Sequence, residues 1–203
     1  MAVSPPAATT PVGRRERNKQ AKLERIIAAA SGLFAEYGVD EVTTQQIADE
    51  ADIGAGTLFL YAKTKGELLL MVQNAHYAEA LGEGRVAADA EADTLDALMA
   101  IVRPIVSCNR AHVENGRTYL REMLFGDPTE PHHAEALTIV GETETAMAGV
   151  LRRDTTFSPA DAATLARMVS SAMFLTMAAT VNVSLAESAV VTDIRDQVRL
   201  LLR

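Results

Sequence analysis

Between Val42 and Lys65 the chain reads VTTQQIADEADIGAGTLFLYAKTK, a segment that admits few folds beyond two short helices joined by a tight turn. Thr43 offers a hydroxyl N-cap, and Gln46, three residues later, can reach back to the cap's own amide. This Thr-x-x-Gln capping box starts a helix expected over 44–51. Ile47, Ala48 and Ala51 form its inner face, where the small alanines let a second helix cross closely. The turn Asp52-Ile53-Gly54 takes only three residues, which defines a helix-turn-helix. A second helix is expected over 54–61, led by Gly54, Ala55, Gly56 and Thr57, whose small side chains let backbone approach a DNA groove, with Phe59, Leu60 and Tyr61 following. Read alone, the same pattern fits a plain helical hairpin packed in an all-α core equally well.

Two further blocks flank the two that make up the hairpin, four in order along the chain. Ile26 to Tyr37 is a helical run closed by Gly38, TTQQIADEADI and GTLFLY make up the hairpin, and TK-x-x-LL follows at Thr64. In order and spacing these blocks resemble the DNA-binding domain of the tetracycline-repressor (TetR) family of bacterial transcription regulators. The resemblance covers about the first third of the chain. It implies a first helix over 21–37, helices two and three in the hairpin, and a long fourth helix opening at Lys65.

It also implies roles for single residues. Thr43 matches the family's N-cap threonine, and Thr44 and Gln45 fall at first-turn positions that meet phosphate or a base. Tyr61 matches a tyrosine that donates to a phosphate, Lys65 a lysine that pins the DNA backbone, and Gly56 and Thr57 the Gly-Thr pair of the recognition helix. Phosphate contacts of this kind set register without reading sequence. Asp52 stands where the family has a turn glycine, a substitution that aspartate's tolerance of the left-handed region permits. Gly54 replaces a serine cap, and Ala62 and Lys63 replace a Phe-Pro type pair. Phe59 and Leu60 replace tyrosine and a basic or imidazole side chain, which points to apolar readout of thymine methyls; the alternative is that Phe59 faces the core.

Charge agrees once it is divided along the chain. The whole protein carries a formal net charge of -8, which argues against nonspecific coating of nucleic acid. Yet Arg14, Arg15, Arg17, Lys19, Lys22 and Arg25 face only Glu16 and Glu24 in the first twenty-five residues. Residues 1–16 are read as a disordered basic arm, with Arg14, Arg15, Arg17 and Lys19 contacting DNA. MAVSPPAATTPVG lacks an apolar core of signal-peptide length, and no run suggests a membrane span. With a single cysteine, Cys108, a reduced cytoplasmic setting is the simplest expectation, and Cys108 itself reads as a small buried hydrophobe.

The expected fold is all-α with about nine helices: residues 17–64 a helix-turn-helix domain, residues 65–203 a ligand-binding and dimerisation domain. The fourth helix is expected to end at Gly82-Glu83-Gly84. Leu95 to Val106 give a fifth, Tyr119 to Leu124 a sixth, and Leu137 to Leu151 a seventh. From Pro159 to about Leu185 the chain is apolar on more than one side, through Leu165, Met168, Val169, Met173, Phe174, Met177 and Val181. Such a helix needs burial all round. The resemblance assigns the last two long helices to a homodimer interface, here Leu165, Val169, Ala172, Val191, Ile194, Val198 and Leu201. A purely intrachain core is the alternative.

Helices four to seven are expected to surround an apolar pocket for a small, lipophilic effector. Its candidate walls are Met99, Arg103, Tyr119, Met123, Met173 and Met177, near the helix-breaking Pro104. No catalytic, cofactor or metal set is assigned. His132, His133 and Glu135 cluster in sequence, with His76 and His112 elsewhere, but their spacing does not place ligands on one helix face, and the His pair reads as an exposed helix start. The sequence therefore points to a homodimeric, ligand-responsive regulator, most simply a repressor, of a palindromic double-stranded DNA operator. The alternatives are a ligand-independent DNA-binding regulator and a helical metal-dependent enzyme.

Overall fold

A computed structural model describes residues 13–203, and the expected arm before Gly13 lies outside them. Among the described residues there are nine α-helices, one 3₁₀ turn and no strand. No helix among them is long and apolar enough to cross a membrane.

Helix α1 (Arg14–Tyr37) begins seven residues ahead of its expected start at 21, so residues 14–16 are helix rather than disordered arm. Arg, Glu, Lys, Gln and Ala are strong helix formers, and the extension needs no packing to persist as part of a longer helix. Burial begins only at Leu23 and Ile26. The hairpin helices are α2 (Thr44–Glu50) and α3 (Ala55–Leu58), the latter a single turn continued by non-helical turns to Tyr61. Ile26, Ala30 and Phe34 of α1 meet Ile47, Ala48 and Leu58 in one small core, all nearly inaccessible to solvent.

Helix α4 (Lys65–Asp89) is the hub of the body: it packs on α5 (Thr94–Arg110), α6 (Val113–Phe125) and α7 (Pro131–Leu151), and it touches α1. It runs through Gly82 and Gly84, where the sequence reading placed its end. The reason lies in α5: a Cβ added to Gly84 would stand 2.8 Å from the Ile101 Cα and 3.1 Å from the Ala100 carbonyl oxygen. That glycine lets two backbones cross. Its helical cost of about 1 kcal/mol is outweighed by burial of Leu81 and Ala88 on either side. Pro104 sits inside α5, so the Ala100 carbonyl loses its helical donor at the same crossing.

Helix α8 (Pro159–Ala178) stops well short of 185. The Asn182 amide donates to the Thr176 carbonyl at 2.9 Å, and the Arg110 guanidinium gathers the carbonyls of Asn182, Val183 and Leu185. These side chains satisfy the backbone of the 3₁₀ turn Thr180–Asn182 and its flank, which continuation of the helix would otherwise have used. Helix α9 (Glu187–Leu201) then returns across α5 and α8.

Candidate nucleic-acid interface and ligand sites

The hairpin geometry follows from two local devices. Gln46 N–H donates to the Thr43 hydroxyl at 3.2 Å while the Thr43 N–H donates to the Gln46 Oε1 at 2.8 Å, completing the capping box. At the other end Asp52 adopts φ 51°, in the left-handed region. Ile53 N–H then reaches the Ala48 carbonyl at 3.0 Å and Asp52 N–H the Asp49 carbonyl at 3.1 Å, a Schellman closure built on aspartate instead of glycine. Arg25 from α1 sits over this turn, 3.3 Å from the Asp52 carboxylate. Both groups are largely solvent-exposed, so the pair orients more than it stabilises.

One open face results. Thr43, Gln45, Gly54, Gly56, Phe59 and Leu60 are exposed on it, with Thr44, Ala55 and Thr57 half-buried between them. Leu60 is 82% exposed and Phe59 46%, whereas Leu58 is the member of this turn that fills the core. Phe59 therefore does not serve as a core residue. Along one flank, Arg14, Arg15, Arg17 and Lys19 stand exposed on the unpacked first turns of α1.

Two expected phosphate-binding side chains have partners within the chain. The Tyr61 hydroxyl donates to the Lys19 carbonyl at 3.4 Å, joining the end of the hairpin to the basic stretch of α1. The Lys65 ammonium donates to the carbonyls of Asp40 and Val42, each at 3.1 Å, bracing the loop that enters α2. Both also hold the reading face in position, a role that spacing alone could not show.

Residues 26–72 match the family model described as bacterial regulatory proteins, tetR family. A curated relative, an uncharacterised HTH-type transcriptional regulator of Haemophilus influenzae, is 41% identical over 46 residues, 23% of this chain and only a quarter of that protein's length. Solved TetR structures share the fold of the whole chain. The Thermus thermophilus TetR-family repressor FadR, crystallised with lauroyl-CoA, superposes with a TM-score of 0.72 at 22% identity, covering 89% of this chain and 93% of that one. A TetR regulator from Rhodococcus sp. RHA1 gives 0.70 at 17% identity, covering 91% and 97%. The fatty acid degradation regulator FadR of Bacillus halodurans gives 0.61 at 15%, covering 87% and 94%. Residues 26–72 thus match the helix-turn-helix domain of the TetR family, and the chain as a whole shares the all-α fold of solved TetR regulators.

Within that body, the expected pocket residues divide among three places. Tyr119, Met123 and Met173 line a small apolar cavity between α4, α5, α6, α7 and α8, of about 20 Å³, closed by Ile105, Val140 and Phe174. Arg103 borders a separate cleft on the α1 side. Met99 and Met177 are packed in the core and line neither. Of the polar seam beside the small cavity, the sequence pointed to Tyr119 and Asn109 but not to their partners Asn74 and Tyr77. Tyr77 and Tyr119 stack with ring centroids 4.2 Å apart at 15°. The Asn109 amide donates to the Tyr77 hydroxyl at 2.8 Å, and the Tyr119 hydroxyl donates to Asn74 Oδ1 at 3.0 Å. Burial pushes both phenols well above their usual range, so both stay neutral.

The seam continues into α7. The Asn74 amide donates to the His132 carbonyl and to Glu135 Oε2, both at 2.9 Å, and buried Glu67 accepts the His132 N–H at 2.8 Å, capping α7 from α4. Lys63 pairs with Glu130 just ahead of that cap, and this hydrogen bond raises the lysine's pKa. His132 and Glu135 therefore serve helix–helix docking. His133 is buried at 4% exposure, against the expected exposed helix start, because its ring fills the corner beside Gly126. Among the described residues no three His, Cys, Asp or Glu side chains converge as a metal site.

The expected interface residues also split. Val169, Ile194 and Val198 are wholly buried within their own chain, on the faces where α8 and α9 pack inward, so they cannot meet a second copy. Leu165 and Val191 are half-buried against the same core. Ala172 and Leu201 instead border a shallow groove of about 580 Å³ between α8 and α9, with Met168, Ser171 and Leu200. Met168, Leu175 and Leu200 are exposed apolar residues along this face. The i, i+4, i+7 spacing of Met168, Ala172 and Leu175 was the available signal; the fuller stripe on the inward face masked it.

Proposed function

We propose that the chain is a homodimeric repressor that reads a palindromic operator through α2 and α3 and releases it on binding a lipophilic effector. The observation that carries this reading is the exposed Phe59–Leu60 edge beside the amide and hydroxyl groups of α2, on a domain braced by α1 and α4. Apolar side chains offered to solvent at the tip of a helix-turn-helix fit thymine methyls in a major groove. Thr43, Thr44, Gln45, Gly54, Ala55, Gly56, Thr57, Tyr61 and Lys65 would set backbone register, and the basic turns of α1 would add salt-dependent affinity.

The second copy would seat on the open α8–α9 face through Met168, Ala172, Leu175, Leu200 and Leu201. Two hairpins must span adjacent major grooves roughly 34–36 Å apart, which a monomer cannot do. Effector binding would open the cavity walled by Tyr119, Met123 and Met173 and displace α4, the helix shared by pocket and hairpin; the shift is limited by the effector's differential affinity for the two states. Medium-chain acyl-CoA thioesters are the first effectors to test, because lauroyl-CoA occupies the Thermus neighbour. The cytoplasm is the setting proposed for this work.

A ligand-independent regulator is the second reading, favoured by one fact: the internal cavity of about 20 Å³ has room for little more than one water. Selection of duplexes from a random pool, followed by anisotropy titration with and without lauroyl-CoA, separates the two. Loss of DNA affinity with the thioester supports the switch; unchanged affinity across chain lengths supports the second reading; no selected sequence defeats both.

A further inference from the structure

Apart from the apolar cavity, the described residues form a cleft of about 640 Å³ where the DNA-binding domain meets the body. Its volume lies within the range of small-molecule sites. Ser31 and Ala35 of α1 form one wall, α4 from Gln73 to Glu83 the second, and the stretch of α5 beyond Arg103 with the first turn of α6 the third. This site is more open and more polar than the small cavity enclosed by α4 to α8.

The lining has a definite chemistry. Its floor is neutral: Tyr77 and Asn109 are buried and hydrogen-bonded to each other, and Asn115 is buried with both amide atoms engaged. Cys108 adds a thiol that burial, with a smaller push from the Glu79 carboxylate, raises to about 11. The rim is acidic: Glu79 and Glu83 lie one turn apart on α4, Glu187 comes from the first turn of α9, and Arg103 is the opposing permanent cation. Ala80, Pro104 and Ala111 supply apolar surface between floor and rim.

The cleft also touches the hinge of the reading domain. Asn115 donates to the Phe34 carbonyl and accepts from the Val39 N–H, both at 2.7 Å, so one side chain of α6 holds the end of α1 and the loop into α2. His112 packs on Gly38, which has φ 82°; a Cβ there would stand 2.9 Å from the imidazole Cε1. His112 and Asn115 line the cleft as well. A molecule that moves either side chain acts directly on the entry to α2.

We infer that this cleft is an effector site, separate from the apolar cavity, for a small organic cation with an apolar body. The cationic head sits among Glu79, Glu83 and Glu187, and the body lies over Ala80, Pro104 and Ala111 toward His112. The inference rests on the regulator reading only for its consequence, a change in DNA affinity; the binding itself does not.

The test uses the full chain with alanine methyls labelled for NMR and three probes: benzyltriethylammonium, benzyl alcohol and benzoate. The cation should shift the methyls of Ala35, Ala80 and Ala111 at millimolar concentration, and the neutral and anionic probes should bind at least about tenfold more weakly. Glu79→Gln with Glu83→Gln should weaken the cation by about tenfold or more while leaving the spectrum otherwise folded and binding to the selected duplex intact. Absence of shifts at the cleft, equal binding of benzyl alcohol, or cation binding unchanged in the double variant would each overturn the site. Cleft binding that leaves DNA affinity unaltered would keep the ligand site and refute its effector role. Failure of the wild-type protein to bind any duplex would defeat the regulator reading instead.

Discussion

The hairpin and the body solve the same problem, orienting helices, by opposite means. In the hairpin the decisive interactions span three to five residues: Thr43 with Gln46, Asp52 with Asp49, Ile53 with Ala48. In the body they span dozens: Asn115 to Phe34, Asn74 to Glu135, Glu67 to His132, Arg110 to Asn182. A domain built on local devices tolerates a drifting surround, while one built on distant hydrogen bonds can exist in two arrangements. That division would suit the proposed switch, in which the reading head stays intact as the body beneath it shifts.

Substitutions should expose the contrast. The largest effect is expected from Asn115→Ala, which strands the buried Val39 N–H and leaves the Phe34 carbonyl with only the Gly38 N–H as donor; thermal unfolding should show a loss of about 3 kcal/mol. DNA affinity should fall with it, since the tie between body and reading domain is cut. If stability falls and DNA affinity does not, the two regions are less coupled than their contacts imply. Gly84→Ala forces a methyl into the Ile101 backbone and should cost about 2 kcal/mol, read in the same melt, with the hairpin's affinity for DNA kept. Thr43→Ala removes a local cap, and about 1 kcal/mol is expected, confined to the reading domain and visible as faster amide exchange in α2.

The smallest effect is chemical. Cys108 is the single cysteine, and its raised pKa should make iodoacetamide labelling of the folded protein slow at pH 8, with the rate climbing toward half-maximum near pH 11. Labelling at the rate of a free thiol of pKa about 8.5 would mean that the α5 face is far more open than described.

The same contrast governs what could be read from sequence. Capping box, left-handed aspartate and apolar helix tip were legible because each depends on neighbours in the chain, and all appear where Thr43, Asp52 and Leu60 indicate. Gly84 looked like a helix stop because its partner, the α5 backbone, lies far along the chain. Likewise α8 was read too long because Arg110 and Asn182 end it from outside the apolar pattern. Val169, Ile194 and Val198 were assigned to a second copy because a stripe shows that a face is buried but not against what. The pocket suffered most: methionines on three helices gave composition, and Asn109 and Tyr119 stood out as polar groups on apolar helices, but their partners Tyr77 and Asn74 carry no local signature.

Base reading by the Phe59–Leu60 edge is open to one direct test. The direct measurement is the affinity of the wild-type protein and of Phe59→Ala with Leu60→Ala for the selected duplex, each with thymine and with uracil at the specified positions. Loss of the thymine methyls should weaken the wild type by about tenfold and leave the double variant indifferent. Equal weakening of both proteins, or none in the wild type, would contradict it.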